Sequence, residues 1–550
     1  MMPLTTHRTC ARPVKRAALV LATAILCACA FSAASAAPAA KPVEQAAQTP
    51  DPFPDVIQKA MRRAGRSYKN GEGQMPDFLR ELTDAQWKSI RFKPETALWR
   101  RQGLPFTVEF YHPGSIFNRT VDIFIADKAG TAQLPFSADM FEYGSKPLAD
   151  KIKQTPPGYA GFRLTYPLNT PFGHDVIASF LGASYHQGAG KQSLIGAYAR
   201  ALALNTALPN GEEFPFFREF WFVPPEQGDT SLTICALMDS PSLCGAYKFV
   251  VTPGTSTVMD VEARLFLRKG SSWPEKIGIA PLTSMFLRGE SGTGWPSDYR
   301  PEVHNSDGLM LSGATNEWMW SPLVNPGRLA VNTFPMENPR GFGLMQRDDN
   351  FDHYQDINIR FDRRSSVWVE PRGEWGTGRV ELVEIPSTEE IHDNIVAFWV
   401  PDQDPPDTAA DPNAKSFAYK LYWMTPGVTP HSLGRAVATR VTKSTKSDTA
   451  RFIIDFESEA LKAIPADTGL TSLIEAPENA PIADKQLAKN PATGGWRLSF
   501  SVRLPRSEGV VQSIISAREG SPRLRFKALL KRGENLPDPL TETWVYDLAF

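Results

Sequence analysis

Residues Gly495 to Leu504, GWRLSFSVRL, alternate without a break. Trp496, Leu498, Phe500, Val502 and Leu504 fall on one side, and Arg497, Ser499, Ser501 and Arg503 on the other. A period of two puts apolar side chains on one face of a pleated strand and polar ones on the opposite face. The same pattern runs through FTVEFYHPG, TVDIFIADKAG and VVTPGTSTVMDVEARLFLRKG and continues to about Val400. Turn residues punctuate these runs, and the chain holds 47 Pro and 39 Gly. No regular strand–helix alternation supports a parallel sheet, so the expected fold is all-β, a large antiparallel β-sandwich. Residues 53–101 differ. DVIQKAMRRAGRSY carries Val56, Ile57, Ala60 and Met61 at helical spacing, and LTDAQWKSIRF opens with Thr83 as a helix cap.

A chain of 550 residues exceeds one ordinary core, so two domains are expected. PDQDPPDTAADPNAKS, residues 401–416, is rich in Pro, Asp and Ala and reads as a linker. It separates a β-sandwich over 53–400 from a small Ig-like sandwich over 417–550, which holds about seven short strands' worth of sequence. Residues 1–37 read as a signal peptide: a basic start, the apolar run AALVLATAILCACAF and small residues for cleavage. Residues 38–52 form a flexible lead. Lipid attachment through Cys29 is the alternative, with Cys27 an unusual neighbour for it. Export leaves Cys235 and Cys244. A turn at Asp239–Ser242 would set Cys244 opposite Leu237 and the two sulfurs on a diagonal, poor geometry for a bridge. Two buried thiols or one disulfide both remain open.

The 59 basic and 60 acidic side chains leave almost no net charge, which argues against nucleic acid as the partner. Phosphate loops, dinucleotide fingerprints, HExxH and a nucleophile elbow are absent. None of the histidines forms a close metal-ligand pair in sequence. Carboxylates interleaved with aromatic residues remain, between about Arg300 and Val400. RPEVHNSDGLML, TNEWMWSPL, QRDDNFDHYQD, SVWVEPRGEWGTG and EIPSTEEIHDNIVAFW make up this band. Flat rings stack on pyranoses, although most rings in β proteins fill cores. Glycosidic chemistry needs an acid for the leaving oxygen and a second group to activate the attacker.

At that point the chain resembles the periplasmic glucans biosynthesis proteins of the G/D family. The resemblance is carried by GYAGFRLTYPLN, TALPNGEEFPFFREFW, ALMDSPSLCGAYKF, KIGIAPLTSMF, NEWMWSPLVNP, MENPRGFGLMQR, GEWGTGRVELVEIPSTEE and DNIVAFWVPDQ. It implies a galactose-mutarotase-like sandwich followed by an Ig-like domain, a periplasmic location, and a part in making osmoregulated glucans with a β-1,2-linked glucose backbone. Family members include inverting β-1,2-glucan-active enzymes, and their general acid falls on Asp393. Glu390 would be a like-charged neighbour that raises its pKa. The family's base position is Asn305 here, and an amide is no useful proton acceptor. Asp307, two residues on, would face the same side of a strand. Slow hydrolysis, transglycosylation, or binding and guiding of the glucan therefore remain open. Trp318, Tyr354 and Trp375 are candidate stacking platforms, and Arg372 a hydroxyl-binding residue. SYHQGAGKQSLIGAYARALAL departs from the family pattern, so no role is carried onto it. A membrane glucan synthase is the expected protein partner; no metal or organic cofactor is implied.

Overall fold

The computed structural model describes residues 50–70, 75–290, 298–403, 411–444, 448–505, 523–533 and 538–549. The expected signal peptide and nearly all of the lead lie outside them. The described residues are mostly strand, as the alternation requires, in a ten-stranded sheet, a fourteen-stranded sheet and three smaller ones. The two large sheets enclose a common core. Phe162, Phe180, Leu282, Ala397 and Trp399 enter it from the ten-stranded sheet; Phe220, Phe249, Val261, Tyr419 and Leu421 enter from the other. Closing apolar faces against each other is what a two-sheet fold does with period-two strands.

Residues 404–410 of the expected linker lie outside the described residues. Ala414–Met424, which begins inside it, is a strand of the fourteen-stranded sheet, between Thr257–Leu267 and Ser366–Pro371. Residue 417 falls within this strand because Phe417, Tyr419, Leu421 and Trp423 belong to the inter-sheet core. A second core gathers Phe452, Phe456, Trp496, Leu498, Phe500, Phe526 and Trp544. It lies under a four-stranded sheet to which the alternating segment contributes Trp496–Arg503. Thr543–Ala549 pairs in parallel with Trp318–Pro322, so the C-terminal strands continue the large sheet directly.

The helices behave as their sequences dictate. Phe53, Val56, Ala60 and Ala64 form the buried stripe of Phe53–Ala64, which covers Trp221, Cys235, Leu237, Cys244 and Ala246. Thr83 caps Asp84–Lys88 through a reciprocal capping box with Gln86. The cysteine hairpin is corrected by one residue at its turn. Cys244 lies opposite Asp239, and Cys235 opposite Lys248. Asp239 is drawn into the strand rather than the turn because its buried carboxylate pairs with Arg268 and, at 2.8 Å, with Arg63. Both thiols are buried and free.

Candidate functional site

Asp393 lies just before the strand Ile395–Pro401, which is buried on both faces. Ile395, Ala397 and Trp399 enter the inter-sheet core, while Val396, Phe398 and Val400 pack with Ala203 and Val383. Asn394, 2% exposed, fixes the approach to this strand. Its Oδ1 accepts from the Phe286 backbone N–H at 2.8 Å, and its Nδ2 donates to the carbonyls of Phe286 at 2.9 Å and Ile385 at 3.0 Å. Asp393 itself reaches solvent and makes no hydrogen bond or ion pair among the described residues. Its carboxyl is nevertheless raised to about 6, because surrounding protein displaces water and Arg200 offsets that only in part.

The groups whose charges and rings act on Asp393 come from the stretch whose sequence departs from the family pattern. Tyr198 pairs with Thr283 on a neighbouring strand, and the Arg200 N–H donates to the Pro281 carbonyl at 2.9 Å. The rings of Tyr185 and Tyr198 meet edge to face with centroids 5.9 Å apart. Burial pushes both phenols up, Tyr198 to about 12, and the Asp393 charge acts on both. Arg200 is 3% exposed, and its Nη1 lies 2.9 Å from Glu212. Its Nε and Nη2 are buried without a partner. Sequence reasoning missed Tyr185, Tyr198 and Arg200, since no local motif links them to a carboxylate so far along the chain.

Asn305 approaches from the other side. Its N–H donates to the Met285 carbonyl at 2.8 Å, while Asn394 brackets Phe286. The loop holding Asn305 and the segment holding Asp393 thus flank one stretch of backbone, Met285–Phe286. Two inter-strand spacings put those backbones roughly 10 Å apart. The Asn305 Oδ1 is buried without a partner. Asp307 does not share its direction, because strand structure stops at His304 and resumes at Gly308. The backbone N–H groups of Arg347 and Asp348 capture its Oδ2, each at 2.9 Å. Its carboxyl, raised to about 6 by burial, faces a small cavity shared with Glu302, His304, Arg347 and Asp348. His304 is fully buried between Glu302 at 2.8 Å and Gln346 at 2.9 Å.

The other sequence candidates are scattered. Glu390 pairs with Arg300 at 2.7 Å, so burial, and not this neighbour, raises Asp393. Tyr354 is fully buried; its hydroxyl donates to the Asp348 carbonyl and accepts from Gln346. Trp375, 7% exposed, packs on Trp399 and Tyr419 inside the inter-sheet core, which leaves no face for a sugar. Trp318 is half-buried against Trp368 and His431 beside the second core. Arg372 is exposed and paired with Asp260 at 2.6 Å. Among the described residues one group has metal-ligand geometry: ligand atoms of Glu302, Asp348 and His353 lie within 4.8 Å of one another. Asp348 and His353 already pair with each other, and Glu302 with His304, so these ligands are satisfied without an ion.

Fold and site together define an all-β protein of two large packed sheets, with an exposed, unpaired carboxyl at Asp393 near Tyr185, Tyr198 and Arg200. The chain belongs to the family described as "Periplasmic glucan biosynthesis protein, MdoG", which matches residues 52–548. It is 42% identical to a glucans biosynthesis protein G of Ralstonia nicotianae over 501 residues, 90% of this chain and 95% of that one. Proteins of the same name from Serratia proteamaculans and Pseudomonas aeruginosa PAO1 are each 40% identical over 506 residues, 90% of this chain and 92% of theirs. The family resemblance read from the sequence therefore holds, and with it a role in periplasmic glucan biosynthesis. A chondroitin AC lyase from Streptomyces coelicolor overlaps with a TM-score of 0.07 at 9% identity, over 58% of this chain and 37% of that one, and carries no argument.

Proposed function

We propose that this protein acts on β-1,2-linked glucan in the periplasm, with Asp393 as general acid for an inverting hydrolysis or transglycosylation. One observation carries the reading: Asp393 is open to solvent, unpaired, and raised to about 6 close to Tyr185, Tyr198 and Arg200. An acid catalyst needs a proton near neutral pH and no competing partner. The Asp393 proton passes to the glycosidic oxygen as the C–O bond breaks. A water, or a hydroxyl of another glucose unit, attacks the opposite face of the anomeric carbon, and its proton passes through a relay of hydroxyls or water to a more distant carboxylate or to solvent. Asn305 flanks the same backbone stretch as Asp393, at roughly 10 Å between backbones, a separation that leaves room for an attacker as an inverting reaction needs. Being an amide, it orients that attacker and does not take its proton. The attacker, water or sugar hydroxyl alike, therefore gives its proton to a relay and not to the residue at 305.

A second reading is that the protein binds and guides the nascent glucan without cutting it. The amide at Asn305 and the capture of Asp307 by two backbone N–H groups favour it. Incubating the mature protein with linear β-1,2-glucan separates the two. Changed product lengths that vanish in Asp393→Asn support catalysis; unchanged glucan that still binds supports guiding. We further infer a mutarotase-like body, an Ig-like C-terminal part, and contact between that part and a membrane glucan synthase. Crosslinking from the exposed strand Ile482–Lys489 tests the contact, and capture of no membrane protein would remove it.

A further inference from the structure

Beyond Arg200 lies a concavity of about 760 Å³, within the range of ligand sites. It sits beside the segment PNGEEF, which the reading at Asp393 leaves without a role. Its charged lining groups are already satisfied within the protein. Glu212 pairs with Arg200 at 2.9 Å and accepts from the Thr206 hydroxyl at 2.7 Å. Glu213 accepts from the backbone and hydroxyl of Ser242 at 3.0 and 2.7 Å. Arg119 lies 3.5 Å above the Phe216 ring and donates to Asn70 at 2.9 Å. Neutral groups are left facing the space. Asn118 and Asn210 are exposed and make no side-chain hydrogen bond among the described residues, and Phe214 is 45% exposed. Amides offer a donor and an acceptor to hydroxyl pairs, and a half-open ring offers a flat apolar face. Such a lining suits a neutral sugar better than an anion or an apolar ligand.

Side chains link the concavity to the neighbourhood of Asp393. The Arg200 guanidinium lies 5.7 Å from the ring centroids of both Tyr185 and Phe214. Contiguous side chains therefore run from Asp393 through Tyr185 and Arg200 to Phe214. We propose that this concavity holds further glucose units of the same glucan chain, with Phe214 as stacking platform and Asn118 and Asn210 as hydroxyl partners. The inference rests on the reading of Asp393 as part of a glucan site.

Titration calorimetry of the mature protein with linear β-1,2-gluco-oligosaccharides of increasing length tests it. In the wild type, affinity should rise with length. Phe214→Ala, and separately Asn118→Ala with Asn210→Ala, should weaken the longest chains about tenfold while leaving the shortest bound oligosaccharides unchanged. Full affinity for long chains in both variants would overturn the second station alone. Failure of the wild type to bind at any length would overturn the glucan reading and this inference together. Weakened long-chain binding in a protein that proves non-catalytic would still support the station.

Discussion

Glu542 has no exposed surface, and three groups converge on it through four contacts. Arg347 holds it in a fork at 2.6 and 2.7 Å, His431 Nε2 lies at 3.0 Å, and the Ala436 N–H donates at 2.9 Å. Arg347 also lies 3.5 Å above the Trp320 ring, and its backbone N–H holds Asp307. Glu542 thus ties the C-terminal strands to the loop behind the candidate site. Burial alone would raise its carboxyl; the Arg347 charge and the hydrogen bonds outweigh that and hold it at about 2, against an ordinary value of 4.5. A depressed folded-state pKa contributes stability that is complete above the ordinary value and lost as pH falls towards the folded one. The difference is worth about 3 kcal/mol at pH 7. Glu542→Gln keeps the shape and removes the charge, so it mimics the protonated acid. The stability gap between wild type and variant should be about 3 kcal/mol or more at pH 7 and shrink by about 2 kcal/mol at pH 3. Urea unfolding followed by tryptophan fluorescence at both pH values measures it. A gap that stays constant or widens towards pH 3 would refute the argument.

Asn394→Ala deletes three hydrogen bonds at a buried position and should cost about 1–3 kcal/mol in urea unfolding, with a loss of glucan turnover larger than the loss of binding. Trp375→Ala empties part of the inter-sheet core and should cost about 3–5 kcal/mol, yet leave the glucan affinity of the folded protein intact in calorimetry. Burial pushes the thiols of Cys235 and Cys244 up to about 12, so neither should react with an aromatic disulfide reagent at pH 8 until urea is added.

The fold was legible wherever one face of a strand meets a core and the other meets water, as in Trp496–Arg503. It was less legible where both faces are buried. Ala414–Met424 follows a proline-rich stretch that looks like a boundary, and only its neighbours show that it completes the large sheet. In the site, Asp393 was singled out by the family resemblance at HDNIVAFW, and the structure adds that it is exposed and unpaired ahead of the buried strand Ile395–Pro401. Trp375 and Tyr354 were drawn in by residue type, which does not distinguish a sugar platform from a core ring. Asp307 was misdirected because a strand's alternation was assumed across a bend, where two backbone N–H groups decide the direction instead. Tyr198 and Arg200 come near Asp393 because Ile277–Ser284 pairs with their segment and with the strand that follows Asp393, and nothing in their own stretch announces it.

The central claim is that the Asp393 carboxyl supplies a proton to a glycosidic oxygen, and the pH dependence of glucan turnover tests it most directly. Turnover by the wild type should fall on the alkaline side with a midpoint near 6, since the acid is spent once ionised. Arg200→Gln should move that midpoint upward, because the cation that favours ionisation is gone. A midpoint indifferent to Arg200, or turnover that persists in Asp393→Asn, would contradict the account.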